Sequence, residues 1–406
     1  MLWLWRARRS IGRFRRILSR VQMASHNDVD YWLCPDQLFE NGVLKHGRAL
    51  GITEGKVEAV KAQDALPQNV NLKLVAGIIS PGFVDLQVNG GGGVLLNATP
   101  TAEAMWAIAK AHRQFGTTAL LPTVITDHPD ILGKAAQAAL AAFGKNGVCG
   151  LHIEGPHISQ RRRGTHNANH IRPFDDMTLN SVDKLCMAKI PVMITLAPEI
   201  VPPDHIAKLV NMGAIVSIGH SEAAPADITA ARLAGARCFT HLFNAMSPMQ
   251  GRDPGVTGTA ILSSSYVGII CDGIHVADDM VALALRARPE PNLTFLVSDA
   301  MPTVGGPSQF DLYGQSIKLD QGRLINAEGS LAGAHTTLAA GIRRLVSNLN
   351  IPVQTALKMA ISVPCAVMGL DLDRLQGQKI EALLHLNAQG SYTGPVSQIS
   401  PPQKPR

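Results

Sequence analysis

The chain has 406 residues, 46% of them hydrophobic and 17% charged, with a formal net charge of +6. That size and composition suit a globular protein with a substantial core, and allow one large barrel with a smaller accessory domain. They exclude a membrane-embedded chain, since no apolar run approaches the roughly 20 residues that cross a bilayer, and the positive charge is too local for a nucleic-acid-binding body.

Residues 1–23 hold seven Arg and no Lys, Asp or Glu, which leaves 30 basic against 31 acidic residues in the rest of the chain. This first segment reads either as a disordered, targeting-like basic extension or as translation assigned upstream of a true start at Met23. Residues 29–76 follow as short β segments: Tyr31–Leu33, Arg48–Ile52, Lys56–Val60 and Leu72–Val75. Their spacing suits a small antiparallel sheet.

From Gly77 the pattern changes. Eight short apolar runs read as strands: Phe83–Val88, Ala119–Ile125, Gly147–Ile153, Pro191–Leu196, Ala214–Ile218, Cys238–Leu242, Val267–Cys271 and Leu293–Val297. Helical patterns separate them at Thr101–Phe115, Ile131–Phe143, Leu179–Ala188, Pro203–Asn211, Pro225–Ala234 and Asp278–Ala287. Eight βα units predict an α/β fold of the (β/α)8 barrel type over residues 77–369, with an open doubly wound sheet as the alternative. Helices follow at His335–Leu349 and Val353–Met368, then a strand at Lys379–Leu386. That strand is expected to return to the N-terminal sheet, making a discontinuous small β-sandwich from residues 29–76 and 370–392. Residues 393–406 are rich in Pro, Ser and Gln, and predict a disordered tail. The six Cys residues, at 34, 149, 186, 238, 271 and 365, form no CxxC pair. They read as thiols in a reducing, cytoplasmic compartment.

The chemistry-bearing residues fall at strand ends. Glu154 closes the third run, His220 follows the fifth, His241 falls near the end of the sixth, and Asp299 follows the eighth. In a parallel barrel these ends face one pocket. One Glu and two His make a three-ligand set for a catalytic divalent metal, with zinc the first choice and iron, cobalt or manganese also suited. Glu154 alone reads equally well as a salt-bridged carboxylate, and a single His at a strand end as a hydrogen-bonded structural residue. Asp299 is a candidate general base, or else the cap of a turn.

His166 lies on a polar loop beside the Glu154 strand, where substrate contact is plausible, whereas Arg161, Arg162 and Arg163 read as a solvated run. Arg252 and His275 sit on later βα loops, the face where phosphate sites occur. Asn89-Gly90-Gly91-Gly92-Gly93 lacks a phosphate-loop pattern and reads as a turn. At the end of the first strand, Gln87-Val88-Asn89 stands where many binuclear metallohydrolases of this architecture carry His-x-His. Amides are poor zinc ligands, so one metal is expected.

These residues, with Pro81–Gly90, Leu151–Pro156, Gly164–Asn167, Ala197-Pro198-Glu199, Gly219-His220-Ser221, Thr240–Met246, Asp272–Val276 and Ser298-Asp299-Ala300, resemble the N-acetylglucosamine-6-phosphate deacetylases of the amidohydrolase superfamily. The resemblance runs from about Gly77 to Leu386. It implies a barrel flanked by a small β-sandwich, metal ligation by Glu154, His220 and His241, and Asp299 as acid and base. It implies that Thr165 and His166 face the substrate, with His166 helping to polarise the scissile carbonyl. Asn244, Ala245, Arg252, Asp272, Gly273, Ile274 and His275 match substrate-binding positions, Arg252 and His275 on the phosphate side. Members are commonly homodimers in which the neighbour contributes to the phosphate site.

Two departures stand out. Leu331-Ala332-Gly333 occupies a stretch where members often carry Ser, so contacts there are expected through backbone. The strand near Ile380–Leu386 lacks the Ala-Asp pair common in the superfamily. The expected reaction is acetamide hydrolysis of a phosphorylated amino sugar. The galactosamine epimer, a cyclic-amide or other N-acyl hydrolase, and a non-catalytic sugar-phosphate-binding barrel are the alternatives.

Overall fold

The computed structural model describes residues 29–402, so the basic segment 1–23 lies outside the described residues. Eight parallel strands follow one another in strict sequence order: Phe83–Val88, Thr117–Ile125, Leu151–Glu154, Val192–Leu196, Ile215–Ile218, Cys238–Phe239, Tyr266–Ile269 and Thr294–Leu296. Neighbour-to-neighbour order without a crossover is the signature of a wound barrel. Between the eighth and first strands the seam is closed by separate contacts. Val88 bridges Ala300, Asp299 N–H donates to Gln87 O at 2.9 Å, and the buried Asp85 carboxylate accepts from Ser298 N–H at 3.2 Å.

The interior is packed by Val84, Leu86, Leu121, Met193, Cys238, Ile270 and Phe295. A larger apolar layer lies between strands and helices. Helix starts follow local chemistry. The Thr101 side chain accepts from Ala104 N–H to cap Ala102–Arg113. Pro129, Pro203 and Pro225 each open a helix, where a missing N–H costs nothing. The expected single helix Val353–Met368 is two, Val353–Ala360 and Ser362–Met368. Pro364 explains the break, because its ring removes a donor and clashes with the carbonyl four residues back.

The small domain is one seven-stranded sheet drawn from both chain ends. Tyr31–Glu40 is its centre, flanked by Arg48–Thr53 and Leu72–Pro81. Leu72–Pro81 runs parallel to Tyr31–Glu40, so the sheet is mixed where a purely antiparallel one was expected. Leu383–Leu386 pairs with Leu72–Pro81, and Tyr392–Pro395 pairs with Leu383–Leu386. The expected disorder beginning at residue 393 is therefore corrected: Gly394 and Val396 are buried in this sheet's edge. The composition of the tail concealed a hairpin.

Two further elements escaped the sequence pattern. Gly255–Leu262 is a helix buried on nearly all sides, so it has no polar stripe to betray it. Gln309–Leu312, Gln315–Asp320 and Arg323–Ile325 form a three-stranded antiparallel flap over the mouth of the barrel.

Candidate metal centre and active site

Glu154 ends the third barrel strand. His220 and His241 each lie two residues past the fifth and sixth strands, and Asp299 lies three past the eighth. Three of these residues take left-handed backbone angles: His220 at φ 49°, His241 at 30° and Asp299 at 52°. Such conformations cost about 1–3 kcal/mol each for a non-glycine residue and cluster at functional sites. Here they turn the side chains off the strands and into the barrel mouth. Gly219 permits this turn, because a Cβ there would sit 2.8 Å from Thr195 and 2.9 Å from Thr240.

Glu154 Oε1 lies 3.2 Å from His220 Nε2 and 3.0 Å from His241 Nε2, and the two Nε2 atoms are 3.1 Å apart. Tetrahedral ligands at zinc-like bond lengths stand about 3.3 Å apart, close to this triangle. The donor set fits a cation for a second reason. His220 Nδ1–H donates to Arg162 O at 2.9 Å, which turns Nε2 towards the triangle as an acceptor. Burial opposes ionisation of Glu154, but the two imidazoles beside it outweigh this and hold the carboxyl well below its usual range. A buried carboxylate and two imidazoles thus present three acceptors to one point, all within 4.8 Å of one another.

Gln87 and Asn89 surround this triangle with donors. Gln87 Nε2–H donates to Glu154 Oε1 at 2.8 Å and to Asp299 Oδ1 at 3.3 Å. Asn89 Nδ2–H donates to Asp299 Oδ1 at 2.6 Å. The amides are too weakly basic to be good ligands, but they fix the orientation of two carboxylates. Burial first, then the Glu154 charge, raises Asp299 to about 6, with the Asn89 bond acting in the opposite direction. A carboxyl at that value can both accept and return a proton near neutrality.

Beneath the triangle lies a polar floor. His152 Nδ1–H donates to Leu86 O at 3.0 Å, so its Nε2 accepts from Thr195 at 2.8 Å. Thr195 then accepts from Thr240 and Thr240 from Ser217, which gives every hydroxyl proton one acceptor. Burial lowers His152 to about 4, so it stays neutral.

A cavity of about 270 Å³ opens above Glu154, His220, His241 and Asp299. Thr165, His166, Asn244, Ala245, His275, Leu331 and Gly333 line it. His166 is neutral, lowered to about 3 by burial and then by the nearby His220. His275 Nδ1 pairs with Asp272 at 2.7 Å, and its buried Nε2 has no partner. Asp272 also accepts from Ile274 N–H and His275 N–H, so it shapes the loop without lining the cavity. Gly273, Ile274 and Ala332 likewise do not line it. Arg252 is exposed and lies outside this cavity. The sequence did not single out Gln87 or Asn89 for the donor roles they take here. The Gln-x-Asn spacing at a strand end was the one available signal.

A sheet-ordered barrel with a buried Glu/His/His triangle and a rim Asp defines a class of metal-dependent hydrolase, and comparison gives the family. The chain belongs to the amidohydrolase family, whose model matches residues 78–376. It is 37% identical to an N-acetylgalactosamine-6-phosphate deacetylase of Shewanella sp. (strain ANA-3), over 83% of this chain and 87% of the relative. It is 34% identical to an N-acetylglucosamine-6-phosphate deacetylase of Haemophilus influenzae, over 79% and 84%. Among solved structures, the N-acetylglucosamine-6-phosphate deacetylase of Pasteurella multocida superposes with a TM-score of 0.81 at 29% identity, covering 89% of this chain and 96% of that one. Among the described residues no helix is long and apolar enough to cross a membrane.

Proposed function

We propose that this protein hydrolyses the acetamide of N-acetylglucosamine 6-phosphate, giving acetate and glucosamine 6-phosphate. The observation that carries the reading is the convergence of Glu154, His220, His241 and Asp299 on one cavity. Glu154, His220 and His241 would hold one divalent ion, with zinc the best match to a mixed N/O set. When bound, that ion supplies Lewis acidity and makes water more acidic.

The chain's own residues do the rest. Asp299 Oδ, oriented by Asn89 and Gln87, takes a proton from the attacking water and later delivers it to the amine as the C–N bond breaks. His166 donates to the carbonyl oxygen as negative charge develops there. His275 offers its unpartnered Nε2 on the phosphate side of the cavity.

Arg252 lies outside its own subunit's cavity, which suits a homodimer in which it serves the neighbouring site; light scattering would read that assembly directly. A cytoplasmic setting accords with the six free thiols, five of them buried. The N-acetylgalactosamine 6-phosphate reading is kept because the Shewanella relative acts on that epimer. Parallel kcat/KM measurements on the two phosphorylated sugars, read as acetate release, decide between them. Failure to turn over either would refute the proposal.

A further inference from the structure

Thr126 follows the second barrel strand and is 1% exposed. Its hydroxyl is 2.7 Å from His166 Nδ1 and 3.3 Å from the Glu154 carbonyl oxygen. One proton must choose. Hydroxyl-donated bonds to oxygen fall at about 2.5–3.0 Å and N–H···O bonds at about 2.7–3.2 Å. At 2.7 Å the His166 contact fits either donor, but the 3.3 Å contact is long for a hydroxyl, which leaves the Thr126 proton for Nδ1. A neutral imidazole that accepts at Nδ1 carries its proton on Nε2.

Two neighbours keep the hydroxyl in place. A Cβ on Gly155, whose φ is 77°, would lie 2.2 Å from Thr126 Oγ1, so only glycine leaves the hydroxyl its position. On the other side the Tyr313 hydroxyl, at the tip of the flap, donates to Thr126 O at 2.5 Å. Tyr313 sits at φ 52° and is followed by Gly314 at φ 78°, a tight hairpin turn whose first place normally goes to Asn, Asp or Gly. Placing an aromatic there is costly, and the strain seats the ring against the cluster of Ile125, Met301 and Phe310 with its hydroxyl on Thr126 O.

We propose that Thr126 is a positioning residue: it donates to His166 Nδ1 and so fixes the tautomer whose Nε2–H faces the substrate carbonyl. This rests on the deacetylase reading above.

The test uses the full-length zinc-loaded protein. Thr126→Val keeps the shape and removes the hydroxyl; Thr126→Ser restores it. Losing a whole oxyanion donor costs about 10²–10³-fold in kcat. Thr126→Val only unfastens one, so kcat should fall about 10-fold with KM and zinc content nearly unchanged, and Thr126→Ser should recover most of the loss. Ring-¹⁵N NMR, with the His166 signals assigned by their absence from His166→Asn, should find Nε2 protonated in the parent and a tautomer mixture in Thr126→Val. A parent ring protonated at Nδ1 would overturn the proposal, as would a Thr126→Val enzyme with parental kcat. If the parent protein turns over neither phosphorylated sugar, the deacetylase reading fails instead, and the NMR still decides the role of Thr126.

Discussion

Replacing Asn89 by Leu removes the shortest hydrogen bond to Asp299, the 2.6 Å contact from Asn89 Nδ2 to Oδ1, in a volume close to the original. It also removes Asn89 Oδ1, a buried acceptor with no partner. A hydrogen bond to a charged group is worth about 1.5–3 kcal/mol, and one pKa unit is about 1.4 kcal/mol, so the Asp299 carboxyl should rise by about 1–2 units. The sign follows from the role. Asp299 must be ionised to take the proton, so activity is lost as pH falls through its pKa, and a raised pKa moves that acid limb upward. The parent limb should lie at or below about 6, since a bound cation pulls a neighbouring carboxyl down. The assay is kcat/KM against pH for acetate release, with metal content measured alongside. The variant should lose most activity on the acid side and recover towards the alkaline plateau. A variant profile superimposed on the parent's, with full metal, would refute Asn89 as the group that holds Asp299 and weaken Asp299 as the base.

Asp299→Asn should lower kcat by about 10²–10⁴-fold, the usual value of one acid–base group, while metal content stays at the parental level because Asp299 is outside the triangle. His220→Asn should lose the metal. Even partners outside a metal's ligand shell are worth about 10–100-fold in affinity, so a ligand's loss should exceed ~100-fold by equilibrium dialysis. Metal removal by chelator should also lower Tm in the parent and leave the His220→Asn Tm unchanged, because only the parent binds a ligand that favours the folded state. Glu328→Gln, which breaks the ion pair from Arg163 across to the flap, should change stability by less than about 1 kcal/mol, since both groups are partly exposed.

The barrel was legible because its strands are short apolar runs separated by helical patterns. Asp278–Ala287 matches the expected helix at both ends, as Phe83–Val88 does for the first strand. The triangle was legible for the same reason: Glu154, His220 and His241 interrupt apolar runs at equivalent places. What the sequence hid was contact between distant residues. Gln87 meets Glu154 across 67 positions and Asn89 meets Asp299 across 210, and neither amide signals its donor role by type alone. The flap strands are three to six residues long, with only alternate side chains buried in Gln309–Leu312, too short for a period-two pattern to stand out. Gly255–Leu262 is apolar around its circumference, so periodicity had nothing to report. Arg252 carried a plausible chemistry on a plausible loop, yet its exposure depends on how residues 247–254 turn, which composition does not determine.

The most direct test is acetate release from N-acetylglucosamine 6-phosphate and from unphosphorylated N-acetylglucosamine, each with and without chelator. The account predicts chelator-sensitive turnover of the phosphorylated sugar alone. Turnover that survives complete metal removal, or none of the phosphorylated substrate by a metal-loaded protein, would contradict it.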